Sequence, residues 1–119
     1  TYGNTTHHSL EAAEIIAKED GRSVEVVDLR SISPLDEEGI IKSVSKTNRC
    51  LIVHEDKVFA GFGGELVALI NEKCFESLDA PVKRVGSEFT PVGFNRILEK
   101  AVLPNTDKVV AALREALAY

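Results

Sequence analysis

Apolar side chains recur along the chain with two different periods, one typical of helices and one typical of strands. From Thr5 or Thr6 onwards the period is three to four residues, and Gly21 ends the pattern, which predicts a first helix. Its inner face is expected to carry Leu10, Ala13, Ile16 and Ala17. Residues 23–29 follow as a β-branched, largely apolar run, and we predict a strand that is buried on both faces.

A second helix is predicted from its start signals. Asp36 is a good N-cap, the two following glutamates favour the positive end of the helix dipole, and Leu35 can pack onto Ile40. The apolar period continues to Val44, and the helix is expected to end near Thr47 and Asn48.

Strand and helix patterns then alternate to the end of the chain. The patterns predict a strand at 50–53, a helix carrying Leu66, Val67, Ile70 and Cys74, and a strand at 82–85. Residues 86–103 look irregular apart from a short helix near 94–101. A last helix follows Pro104 and Asn105, and its apolar stripe is Val109, Val110, Leu113, Ala116 and Leu117.

This alternation predicts one compact α/β domain over residues 1–119, a three-layer α/β/α sandwich with a mainly parallel sheet. Thr1, Tyr2 and Gly3 read as the tail of a strand that leads into the first helix. We therefore expect a fragment of a longer chain whose first strand is missing.

Composition and charge exclude some functions. The formal charge is −5, from 14 Lys and Arg against 19 Asp and Glu, which argues against a nucleic-acid surface. The apolar runs are too short to span a bilayer. Cys50 and Cys74 lie in an apolar strand and on an apolar helix face, so we expect buried, reduced thiols and a cytosol-like compartment.

His54 is the titratable residue with the most chemical interest. It follows a buried strand, beside Glu55 and Asp56, at the sheet edge where parallel α/β domains bind ligands. It could act in acid–base chemistry or contact a substrate, or it could be a structural histidine with hydrogen-bond partners. His7 and His8 are adjacent on a helix and point about 100° apart, so we expect no metal site.

The glycine-rich loop from Gly61 to Gly64 also lies at this edge. A glycine loop before a helix could bind an anion through free N–H groups, whereas Glu65 would repel an anion and favours a tight structural turn. The loop does not match a dinucleotide-binding fingerprint, because the third glycine of that motif would fall at residue 66, which is Leu. The hypothesis that the chain is a response-regulator receiver domain is weak, because such a domain needs an adjacent acidic pair after its first strand and none is present.

Several stretches, in register over essentially the whole chain, resemble one family. This is the C-terminal domain of the beta subunit of thiamine-diphosphate-dependent 2-oxo acid dehydrogenases, which has the transketolase C-terminal-like fold. The stretches are Thr1-Tyr2-Gly3 with His7, Leu10-Glu11-Ala12-Ala13, Val26-Val27-Asp28-Leu29-Arg30, Ser33-Pro34-Leu35-Asp36, Val53-His54-Glu55, Gly61-Phe62-Gly63-Gly64-Glu65, Leu78-Asp79-Ala80-Pro81 with Lys83-Arg84-Val85, Thr90-Pro91 and Leu103-Pro104.

The resemblance implies a role in assembly rather than catalysis by this domain alone. In the family, thiamine diphosphate and magnesium are held by other parts of the parent, and this domain holds no cofactor itself. The implied partners are an alpha subunit or alpha-like region, a second beta subunit, and the basic subunit-binding domain of the acyltransferase component. Asp79 and Tyr119 match family positions for that docking, although Asp79 could equally be a simple turn acid before Pro81. His54 would line the rim of the active-site funnel.

Two features affect the choice of subfamily. Residues 72–75 and the terminal Tyr119 resemble the branched-chain members, whereas residues 92–95 and Lys100 depart from the usual family pattern. The resemblance implies the cytoplasm of a bacterium or the matrix of a mitochondrion. Two alternatives stay open: a C-terminal domain from a transketolase or deoxyxylulose-phosphate synthase relative, and a free-standing anion-binding α/β module.

Overall fold

The computed structural model describes residues 1–119, with five α-helices and two strands. In chain order the elements are α1 (Thr5–Glu19), α2 (Glu37–Thr47), β1 (Leu51–Lys57), α3 (Gly63–Cys74), β2 (Lys83–Ser87), α4 (Arg96–Val102) and α5 (Thr106–Leu117). A single 3₁₀ turn, Phe75–Ser77, follows α3. None of the helices combines the length and the apolar character that crossing a membrane requires.

β1 and β2 form a parallel pair at the centre of the molecule, and α3 makes the crossover between them. Leu51 pairs with Lys83 and Val53 pairs with Val85, but the register then shifts before Lys57 pairs with Ser87. The parallel arrangement brings the carboxyl ends of both strands to one edge of the sheet, and the register is irregular at that edge.

Helices cover both faces of this pair. Val53 packs into a buried cluster with side chains of α1 and α5, among them Ile16 and Val109. The neighbouring Ile52 points the other way, into a second cluster built from α2 and α3. The predicted three-layer α/β/α sandwich with a parallel sheet is therefore confirmed.

The helix ends follow the capping residues that the sequence offers. The Asp36 side chain accepts a hydrogen bond from the Gly39 N–H at 3.0 Å and begins α2, and Asn48 ends the same helix in the left-handed region at φ 62°. Asn105 accepts from the Lys108 N–H at 3.0 Å and begins α5. Both starts were predicted at these residues.

The buried face of α1 differs from the predicted one. Thr5, Ser9, Ala12 and Ile16 are buried, whereas Leu10 is 49% exposed and Ala17 is exposed. The two polar residues are tolerated because both are hydrogen-bonded: Thr5 Oγ1 donates to the Val53 carbonyl and Ser9 Oγ donates to the Thr5 carbonyl. Apolar periodicity alone missed this polar half of the helix face.

The predicted strand over residues 23–29 is wrong, because this segment has no regular secondary structure and none of its residues is buried. Its ladder-like hydrogen bonds go only to Thr1, whose ammonium donates to the Val27 carbonyl and whose carbonyl accepts from the Leu29 N–H. A strand needs a continuous ladder of partners, and one residue does not provide it.

A groove separates this segment from β1. Three cavities of about 110, 300 and 50 Å³ lie along it, and Glu25 and Leu51 line all three. Most of the residues that line the 110 Å³ cavity are hydrophobic. We name this feature the strand groove, since it runs between β1 and residues 22–29.

Both cysteines are free thiols, as predicted. Cys74 is buried in the cluster beneath α3, and Cys50 is half-buried beside the strand groove. Burial raises the pKa of the Cys50 thiol to about 11. The thiolate, which is the reactive form, is therefore scarce at neutral pH.

We expect Cys50 in the folded chain to react with iodoacetamide at pH 8 at least about 100-fold more slowly than in urea. The reason is that a pKa of about 11 leaves roughly 0.1% thiolate, against about a quarter for a free cysteine. A mass-spectrometric time course with peptide mapping measures each cysteine separately. Rates within tenfold of each other in the two conditions would contradict a buried thiol.

Candidate functional site

The carboxyl edge of the sheet brings together three groups, which come from β1, from β2 and from the loop before α3. β1 carries His54 and Asp56 to this edge, β2 brings Gly86 and Ser87 beside them, and the loop from Gly61 opens α3 above them. Ser87 Oγ donates a hydrogen bond to the Glu55 carbonyl across the two strands. This edge is where parallel α/β domains place their sites.

His54 is completely buried at this edge, with 0% of its surface exposed. A Cβ atom on Gly63 would lie 2.6 Å from His54 Cδ2 and would overlap Nε2, and one on Gly86 would lie 3.1 Å from Cε1. A side chain at Gly63 would therefore exclude the imidazole from this position, and one at Gly86 would press against it. Neither ring nitrogen has a hydrogen-bond partner.

The Tyr2 ring covers His54 and packs in turn against Phe62. The Tyr2 ring stacks on the imidazole with ring centroids 6.1 Å apart and an interplanar angle of 20°. Phe62 meets Tyr2 edge-on at 6.1 Å. Burial and the nearby Asp56 carboxylate raise the pKa of the Tyr2 hydroxyl, so the ring is a neutral cover.

Burial also determines the charge of His54, because it lowers the pKa of the imidazole. The Asp56 carboxylate acts in the opposite direction, whereas Arg84 and the Thr1 ammonium lower the pKa further. The ring is thus neutral at physiological pH and beneath a cover. Contact with a substrate at a funnel rim stays a prediction, and it requires the cover to move.

The glycine loop is held together by Asp56. One carboxylate oxygen accepts from the Lys57 N–H at 2.7 Å and the other accepts from the Phe62 N–H at 3.3 Å. Within the loop the Gly64 N–H donates to the Gly61 carbonyl at 2.9 Å. The donors that an anion would need are therefore already engaged in part by an acid, which favours the structural turn over the anion site.

Asp79 and Tyr119 lie at the opposite, amino edge of the sheet. Asp79 is exposed and lies 4.0 Å from Arg49, which precedes β1. The Tyr119 ring is exposed, and the Lys83 ammonium lies 5.9 Å from its centroid at the start of β2. The hydrogen bond to Glu115 raises the pKa of Lys83. The two predicted docking residues thus lie beside the starts of β1 and β2, whereas His54 is the fourth residue of β1.

Hydrophobic side chains are exposed next to the carboxyl edge. Phe59 and Phe89 are 66% and 73% exposed and pack edge-on with ring centroids 4.8 Å apart. Three further side chains on the segment after β2 are also largely exposed, namely Phe94, Ile97 and Leu98. We name these five residues the apolar rim.

Sequence reasoning missed the roles of Tyr2, Gly86 and Asp56. Gly86 carried a usable signal, because a glycine within a strand often marks a close approach of another group. Tyr2 carried none, since its stacking on His54 arises only from the tertiary fold. No group of three or more His, Cys, Asp and Glu side chains is placed to hold a metal ion, and His8 Nδ1 instead pairs with Thr106 Oγ1 at 3.0 Å.

These features define an α/β/α domain with a parallel central pair and a covered histidine at its carboxyl edge. The family model described as "Transketolase, C-terminal domain" matches residues 1–109. The chain therefore belongs to the transketolase C-terminal domain family, as the sequence motifs indicated.

Its relatives include dehydrogenase beta subunits. The chain is 45% identical to the 2-oxoisovalerate dehydrogenase subunit beta of Bacillus subtilis over 97% of its own length and 35% of that protein. It is 44% identical to the mitochondrial pyruvate dehydrogenase E1 component subunit beta of Saccharomyces cerevisiae, over 98% of this chain and 32% of that one. The chain thus spans about a third of the length of these curated relatives.

A solved structure gives the same fold. It is described as "Split gene transketolase, inactive beta4 tetramer", and it superposes with a TM-score of 0.83 at 28% identity. The match covers 98% of this chain and 37% of that chain.

We expect Gly63→Ala to lower the free energy of unfolding by about 1–3 kcal/mol, because its Cβ would overlap the buried imidazole. Gly64→Ala is the matched control. Its Cβ would lie 3.4 Å from Arg84 at the nearest, and alanine favours the helix, so we expect a change within about 1 kcal/mol. Urea titrations followed by circular dichroism compare them, and equal losses would contradict the glycine contact with His54.

Proposed function

We propose that this chain is the C-terminal domain of the beta subunit of a thiamine-diphosphate-dependent 2-oxo acid dehydrogenase. The observation that carries the proposal is the identity of 44–45% to two such beta subunits over 97–98% of the chain. In this role the domain serves assembly and partner docking and is not catalytic alone.

The parent enzyme would decarboxylate a 2-oxo acid and pass the acyl group to a lipoyl arm. Thiamine diphosphate, with magnesium, would supply the carbanion-stabilising chemistry from elsewhere in the parent. In this domain His54 would lie at the funnel rim and Asp56 would fix the loop above it. Because His54 is enclosed beneath Tyr2, contact with a substrate at this position would require the cover to move.

The favoured substrate is 2-oxoisovalerate rather than pyruvate. Residues 72–75 and Tyr119 support this choice, whereas the identities to the two kinds of subunit are nearly equal. The test is decarboxylation by the full parent with each 2-oxo acid in turn. We expect a higher kcat/KM for 2-oxoisovalerate, and a preference for pyruvate would contradict the choice.

The apolar rim supports contact with other subunits of the parent. Large exposed apolar side chains such as the Phe59–Phe89 pair are typical of interaction sites when they form a patch on a soluble protein. The expected occupants are the alpha subunit or alpha-like region and a second beta subunit. Phe59 and Phe89 would be the aromatic anchors, because their exposed rings offer large contact areas at a low entropic cost.

The strand groove supports the proposal that the domain is part of a longer chain. Its two walls are β1 and residues 22–29, and Thr1 already bonds to Val27 and Leu29 in the pattern of a parallel ladder. A further strand in line with Thr1 would occupy the groove and would turn residues 23–29 into a paired strand.

The amino edge supports docking of the subunit-binding domain of the acyltransferase component. Asp79 is exposed and only loosely paired with Arg49 at 4.0 Å, so its carboxylate is available to a basic partner. The overall charge of −5 favours the same partner through long-range attraction. Tyr119 would flank the same surface.

A second candidate is a transketolase relative, including deoxyxylulose-phosphate synthases. The observation that favours it is the TM-score of 0.83 to a split-gene transketolase chain. The lower identity of 28% makes it the weaker candidate beside the beta subunits. Such a parent would not need the acyltransferase as a partner, which separates the two candidates by experiment.

We expect Asp79→Lys to weaken binding of the acyltransferase subunit-binding domain by tenfold or more, which is about 1.4 kcal/mol. The reason is that charge reversal at this position would set an ammonium group against a basic surface. Glu72→Lys is the matched control, since it makes the same charge change on the exposed face of α3. Calorimetric titration at two salt concentrations measures both effects, and wild-type binding should weaken with salt.

Equal losses in both variants would contradict a docking role specific to Asp79. If the folded wild-type chain does not bind, the same titration with the full-length beta-subunit dimer decides the matter. Failure there too would favour the transketolase alternative.

A further inference from the structure

Of the four polar residues that are buried as whole residues, only His54 lacks a hydrogen-bond partner. Thr5, Ser9 and Ser87 are also buried, and each makes a hydrogen bond to a backbone carbonyl. Both nitrogens of His54 are unpartnered, although a neutral imidazole always carries one N–H donor. A protonated ring would bury two such donors and a charge, which is strongly unfavourable without a partner.

No carboxylate is placed to compensate that charge. On its own strand Asp56 favours the protonated ring, but its oxygens bond to the backbone of residues 57 and 62. Arg84 on β2 and the Thr1 ammonium oppose the protonated ring, and the covering Tyr2 is neutral. On α3 the acid of the first turn is Glu65, which makes no bond to the imidazole.

The groups that enclose His54 are held less firmly than the two cores. Tyr2 precedes α1 and is only half-buried, and in the short glycine loop Phe62 and Gly64 are also only half-buried, whereas Gly61 and Gly63 are buried. The β1–β2 register shifts between Val53 and Lys57, so the ladder is interrupted beside His54 itself. Local opening here separates Tyr2 and Phe62 from the margin of the second core but leaves its six buried residues in place, so it needs less free energy than global unfolding.

We propose that protonation of His54 opens the carboxyl edge of the sheet and that its deprotonation closes it again. We call this switch the latch. In mildly acidic solution the protonated imidazole leaves its pocket between Gly63 and Gly86, and Tyr2 and the glycine loop 61–64 are released with it. At neutral and higher pH the neutral ring returns and the cover closes. This inference goes beyond the proposed function and does not depend on the identity of the parent.

The direction of the pH dependence follows from burial. Because the pKa of His54 is lowered in the closed form, the open form takes up a proton first as the pH falls below about 6.5. The closed form is fully favoured above that value. Below it the opening equilibrium constant grows by up to about tenfold per pH unit until the closed ring also titrates.

Hydrogen exchange measured by mass spectrometry tests the latch on the 119-residue chain at pH 7.5 and 5.5, with rates corrected against the unfolded chain. We expect opening to increase at least about fivefold at pH 5.5 in peptides covering residues 1–10 and 58–66. A peptide covering α5 should not change. His54→Gln should remove the increase, and the double variant His7→Gln with His8→Gln, which alters two histidines outside the pocket, should keep it.

A second measurement covers the case in which His54→Gln does not fold. The chain has two tyrosines and no tryptophan, so Tyr119→Phe makes Tyr2 the sole fluorescent reporter. We expect its emission to change between pH 7.5 and 5.5 with the same midpoint as the His54 ring signal in NMR spectra. The latch is overturned if Tyr2 emission stays constant while His54 titrates, or if exchange rises equally in all three peptides.

Discussion

β1 is the element that both hydrophobic cores share, and the rest of the molecule depends on its burial. Ile52 contributes to the core beneath α2 and α3, and its neighbour Val53 contributes to the core beneath α1 and α5. Because successive strand residues point to opposite faces, one short strand links two otherwise separate helical layers. Because β1 and β2 are parallel, the polar carboxyl ends of both strands lie at the same edge of the sheet, beside the glycine loop 61–64.

Local sequence signals predicted the elements whose structure is decided locally. The caps at Asp36 and Asn105 and the stripe of α5 were placed correctly, because each depends on a few neighbouring residues. The predicted strand over residues 23–29 was wrong for the opposite reason, because a strand forms only where another segment supplies hydrogen-bond partners. The predicted buried face of α1 was wrong because it left out Thr5 and Ser9. Hydrogen bonds to backbone carbonyls allow these two polar side chains to be buried, and a hydrophobic pattern does not predict such bonds.

The candidate site shows the same division. The sequence placed His54 just after a strand that ends at Val53, whereas in the structure β1 continues to Lys57 and His54 is its central residue. The predicted nearness of His54 to the glycine loop is confirmed by its close approach to Gly63. Its burial could not be read from the sequence, since it requires Gly63, Gly86 and Tyr2 to converge from three segments. That convergence decides the chemistry, because it changes an exposed, titrating imidazole into a neutral and enclosed one.

The distance between the two edges of the sheet has a consequence for evolution. β1 has seven residues, so His54 and the amino edge near Asp79 are on the order of 10–20 Å apart and share no contact. Substitutions at sites this far apart have nearly additive effects on stability. Mutation can therefore alter the amino-edge surface over generations without disturbing the histidine pocket.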